Sequence, residues 1–64
     1  MISGEEKYVV QMTMRKYGLG FVKWLGQALS WADHINAMKI KTTWPEYWDQ
    51  YFEMGKKEFH EDLQ

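Results

Sequence analysis

The clearest pattern of apolar and polar positions lies in the middle of the chain. Phe21, Trp24, Leu25, Ala28, Trp31, Ala32, Ile35 and Met38 recur at spacings of three and four, with Lys23, Gln27, Ser30 and His34 between them. Such spacing gathers side chains on one helical face and predicts a helix over 20–38. Val22 and Leu29 widen the apolar arc. Asn36 interrupts it, because at about 100° per residue it projects between Leu25 and Leu29. A buried amide at that position requires a hydrogen-bond partner, near the helix end, on a neighbouring helix or in a ligand.

The C-terminal block opens on TTWPEYWDQYF, residues 42–52, which holds Trp44, Tyr47, Trp48, Tyr51 and Phe52. Thr43 precedes Glu46 by three positions, as in a capping box, and Pro45 suits a first helical turn, where its missing N–H goes unused. A helix is expected over 44–60, with Trp44, Tyr47, Trp48, Tyr51, Phe52, Gly55 and Phe59 on one side and Glu46, Asp49, Gln50, Glu53, Lys56, Lys57, His60 and Glu61 on the other. Gly55 in that face either admits a neighbouring backbone or ends the helix early.

The first block supports two periods. Ser3-Gly4-Glu5-Glu6 has capping-box spacing, whereas Tyr8, Val10, Met12 and Met14 alternate like strand residues. A lone strand would leave its edges unpaired, and Met38–Thr42 is a weak partner, so helix over 5–17 is the preferred reading. The expectation is thus an all-α fold, a small three-helix domain of about 5–17, 20–38 and 44–60 filling residues 1–64. Within it, Trp48 and Phe52 are expected to pack on Trp24, Ala28 and Ile35. The flank of Trp44, Tyr47 and Tyr51, whose phenols need water or a partner, is expected to form a contact surface.

Composition sharpens this. The 64 residues include four Trp, four Tyr and three Phe but no Cys. A chain this short buries only about 60% of its unfolded surface, and small scaffolds below roughly 70 residues rely on disulfides, metals, dense packing or oligomerisation. Cysteine chemistry is excluded, and more aromatic surface is present than a three-helix core accommodates, so a homo-oligomer is expected. Eight Lys plus Arg against nine Asp plus Glu leave a net charge of −1 and no field that steers the chain to nucleic acid. Lys39, Lys41 and Trp44 form a small footprint, opposed by Glu46, Asp49 and Glu53. No apolar run approaches the roughly 20 residues of a membrane span, and the acidic N-terminal stretch MISGEEKYVVQ is unlike a secretory signal, which predicts a cytoplasmic protein with no membrane partner.

Candidate chemistry adds little. Ser3 and Ser30 lack a nucleophile motif, and Gly18-Leu19-Gly20 lacks the strand and the Lys-Ser/Thr of a phosphate loop. His34 beside Asp33, and His60 beside Glu61 and Asp62, offer metal-ligand types, yet adjacent helical residues diverge by about 100°. No enzyme, cofactor or metal site is expected. The order Ala28-Leu29, Ala32-Asp33, Asn36, Lys39-Ile40, Thr43-Trp44-Pro45-Glu46-Tyr47-Trp48 and Tyr51, roughly AL..AD..N..KI..TWPEYW..Y, resembles a pattern in short uncharacterised proteins of bacteriophages and prophages. The resemblance covers about residues 24–52 and implies a phage or prophage setting in a bacterial host, without a chemistry.

Two functions are therefore expected. The first is a non-enzymatic helical interaction module that self-associates through an aromatic helix face and binds a host or viral protein, as an inhibitor in one version. Its interaction residues are Trp44, Tyr47, Tyr51 and Asn36. The second is a small-ligand binder in which Trp44, Tyr47, Trp48 and Asn36 line a pocket for a planar, nucleotide-like molecule at an oligomer interface.

Overall fold

Ser3 starts the first helix as its spacing predicts: its Oγ accepts the Glu6 N–H at 3.0 Å, and α1 runs Gly4–Tyr17. The structure is a computed structural model that describes residues 2–62, with side chains through residue 58. Glu5 and Glu6 stand in the first turn of α1 and Arg15 and Lys16 in the last, matching the helix dipole at both ends. Val9, Val10, Thr13 and Met14 are buried while Tyr8 is exposed, so the apparent strand alternation is coincidental. The helical period governs the segment.

After the Gly18-Leu19-Gly20 turn, α2 spans Phe21–Trp31, α3 His34–Thr43 and α4 Pro45–Asp62. The protein is all-helical with four helices among the described residues, which corrects the expected three. The long middle helix breaks at Ala32 and Asp33, both extended, with ψ of 139° and 179°. Asp33 causes the restart. Its carboxylate accepts the Asn36 N–H at 2.8 Å, a capping bond unavailable in a helix interior. The loose end of α2 is secured from α1, where Lys7 Nζ donates to the Ala32 carbonyl. At the next junction Thr43 is the last residue of α3 rather than a cap, while Pro45 opens α4 as expected.

Two glycines set the layering. A Cβ at Gly26 would stand 2.6 Å from Met14 Cβ and 3.0 Å from the Arg15 nitrogen, and one at Gly55 would meet Thr13 Oγ1 and, at 2.5 Å, Val9 Cγ1. Helix α1 therefore lies between α2 and α4, each approaching it through a glycine. Gly55 admits a neighbour and does not end α4. The core consists of Ile2, Val10, Met14, Leu25, Leu29, Ala37, Trp48 and Tyr51, within a radius of gyration of 10.9 Å. About 10.7 Å is expected for a compact chain of this length.

Trp48 is fully buried, as expected. Its neighbours differ from those expected: Trp24 and Ile35 are 69% and 66% exposed, and Ala28 also faces out. Tyr51 is the second correction, since it is buried instead of standing on a contact flank. A tyrosine ring is apolar apart from its tip, so it can line a core whose edge reaches water. Phe59 and His60, which were counted on α4, and Glu61 and Asp62 have side chains outside those described.

Candidate interaction surface

Helix α2 is apolar over more of its circumference than its neighbours cover. Projected at about 100° per residue, Val22, Leu25, Gly26 and Leu29 share an arc of about 100°, and Phe21, Trp24, Ala28 and Trp31 occupy the adjoining 80° or so. The first arc meets the core, with Leu25, Gly26 and Leu29 buried. Every member of the second is exposed, with Phe21 at 54%, Trp24 at 69% and Trp31 at 84%. Leu19, in the turn before α2, and Ile35, in the first turn of α3, are exposed as well. Such a run exceeds the scattered apolar residues of an ordinary surface.

The sequence-predicted contact residues divide around this stripe. Trp44 and Tyr47 are half-buried and hold Phe21 from the α4 side. The Phe21 and Trp44 rings meet edge-on at 5.4 Å and 67°, and Phe21 and Tyr47 lie 6.2 Å apart at 52°, both within the range of favourable aromatic pairs. Tyr51 belongs to the core, and Asn36 is exposed in the first turn of α3. Asn36 therefore needs no buried partner. Trp48 is sealed in the core and lines no surface, so the four residues expected around a ligand are not gathered at one opening.

At the partly buried edge of the core lies a polar node that local pattern cannot reveal. Glu6 Oε2 accepts from Trp48 Nε1 at 2.7 Å and from Lys41 Nζ at 3.0 Å, and the Lys41 ammonium stands 5.7 Å from the centre of the Trp48 ring. Partial burial pushes the Glu6 carboxyl upward, but the Lys41 and Trp48 hydrogen bonds and the Lys41 charge outweigh it and hold the group below its ordinary value. Glu6 thus ties α1 to α3 and α4. Lys41, half of the expected phosphate footprint, is committed to this node. Among the described residues no three of His, Cys, Asp and Glu converge as metal ligands would, and no helix is long and apolar enough to cross a membrane.

No family model, no curated protein and no solved structure matches the chain. The functional reading therefore rests on the surface itself. Sequence periodicity found the apolar residues of α2 but placed Trp24, Ala28 and Ile35 inside. The signal that separates the two arcs is Gly26, which marks the side where another helix comes close.

Proposed function

We propose that the protein is a non-enzymatic interaction module that self-associates through an aromatic helix face and, in that form, binds a protein of a bacteriophage or its bacterial host. The observation that carries this is the exposed stripe of Phe21, Trp24, Ala28 and Trp31, braced by Trp44 and Tyr47. Tryptophan and tyrosine dominate binding hot spots because each offers a large rigid apolar body at little conformational cost. The partly and fully buried polar groups, by contrast, serve the fold: Glu6 binds Trp48 and Lys41, and Thr13 Oγ1 donates to the Val9 carbonyl at 2.7 Å. The phage setting follows from the TWPEYW pattern at residues 43–48, part of which forms the brace.

Sedimentation velocity at micromolar concentration tests this reading. The wild-type protein should sediment as a dimer or larger, and a Trp24→Ser/Trp31→Ser variant should remain helical and sediment near 7.7 kDa. Both positions are exposed, so loss of the oligomer without loss of helix separates interface from core. A wild-type monomer throughout the range would remove the self-association reading.

A further inference from the structure

The stripe on α2 has an order that reads alike from both ends. Its positions, 21, 24, 28 and 31, are separated by three, four and three residues, the spacing of a coiled-coil seam. Two such helices running antiparallel about a twofold axis level with Gly26 bring stripe positions onto stripe positions. Residue 24 then faces residue 28 of the other copy, and residue 21 faces residue 31. The side-chain sizes fit that register. A tryptophan meets an alanine twice, and a phenylalanine meets a tryptophan twice.

Parallel pairing would set Trp24 against Trp24 and leave a gap between two Ala28 methyls, contrary to close packing. Charge agrees with the antiparallel choice. Lys23 is the single charged residue of α2 and projects with Gln27 and Ser30 on the polar side, and with Arg15 it borders the stripe at Trp24 without lying within it. Antiparallel helices also bring opposite dipole ends together. At about 150–250 Å² per ring, the exposed fractions of Phe21, Trp24 and Trp31 amount to on the order of 300–500 Å². The stripe alone thus supplies about half of the roughly 800 Å² that each partner gives to a standard interface, and Leu19 and Ile35, just outside α2 in the chain, are further exposed apolar side chains.

We infer that the occupant of this face is a second copy of the chain, with α2 packed antiparallel on α2, Trp24 of each copy over Ala28 of the other, and Phe21 against Trp31. This rests on the self-association reading above and adds its geometry. Trp44 and Tyr47 position the Phe21 ring that receives the tryptophan, which gives the TWPEYW segment a part in the interface without direct burial across it. The match is isologous, so the assembly closes at two copies.

A size swap tests the register. Sedimentation equilibrium of the wild type, Trp24→Ala, Ala28→Trp and the double variant Trp24→Ala/Ala28→Trp compares four dimer dissociation constants, with far-UV circular dichroism reporting the fold of each. Trp24→Ala leaves a hole over Ala28, and Ala28→Trp drives two tryptophans together, so each single change should weaken the dimer by more than about tenfold. The double variant restores a tryptophan over an alanine and should return to within about threefold of the wild type. An Ala28→Trp dimer as tight as the wild type, or a double variant as weak as the singles, overturns the antiparallel register while leaving self-association intact. A wild-type protein that stays monomeric to about 100 μM, a dissociation constant too weak for a stable interface, overturns both.

Discussion

Glu6 shows how one side chain can serve a helix end and a core at once. Its N–H is capped by Ser3, while its carboxylate, half of an expected capping box, turns away to accept the Trp48 indole and the Lys41 ammonium. Replacing it with leucine removes the indole's acceptor, and an unpaired buried donor costs about 1–3 kcal/mol. Glu6→Gln keeps an acceptor for the indole and loses the ion pair, so its cost at neutral pH should be smaller. The pH dependence has a definite sign. The carboxyl is held below its ordinary value in the folded protein, so its contribution is complete above the unfolded value of about 4.3 and fades as pH falls through the lower folded one. Glu58, lowered chiefly by its hydrogen bond from Lys16, acts in the same direction but is exposed enough for salt to screen it. Urea titrations in high salt should therefore show stability falling on acidification below about pH 4.5 in the wild type and a shallower fall in Glu6→Gln. Equal slopes would mean that Glu6 is not the titrating group.

At the level of helices, legibility follows the range of the forces involved. The start of α1 and of α4 can be read because Ser3 and Pro45 act within one turn of themselves. The division of the middle segment is harder, since the apolar period runs through Ala32 and Asp33 unbroken. The aspartate's preference for capping and the Lys7 bond to the Ala32 carbonyl decide it, and the second of these spans 25 residues. The inward side of α2 depends likewise on where α1 lies, which a period cannot convey. Glycines within helices carry that information: Gly26 and Gly55 mark the two crossings with α1. In Gly55→Ala the new methyl would press on Val9 and Thr13, an overpacking cost of about 1–3 kcal/mol against a propensity gain of about 1 kcal/mol. A net loss of about 1 kcal/mol is expected in urea melts. Gly4→Ala, with open space around it, should give no loss. A Gly55→Ala protein as stable as Gly4→Ala would show that α1 and α4 are less closely apposed.

For the molecule as a whole, the sizes of its core and of its exposed stripe are coupled. The largest fully buried side chains are Trp48, Met14, Leu29 and Val10, a small interior for a chain that leaves two of its four tryptophans in water. A short chain gains more by hiding such rings inside than by displaying them, so rings left outside point to a surface that covers them. The proposed pairing through α2 couples association to folding, so stability should rise with protein concentration. A tenfold increase adds about 1.4 kcal/mol per mole of dimer, or about 0.7 kcal/mol per chain, and in a domain of this size raises the melting temperature by about 3–5 °C. Thermal melts across two decades of concentration should show that rise in the wild type and a flat midpoint in Trp24→Ser/Trp31→Ser. A wild-type midpoint that does not move would mean that the single chain is stable without a copy of itself, and the tryptophans of α2 would then be reserved for a different protein.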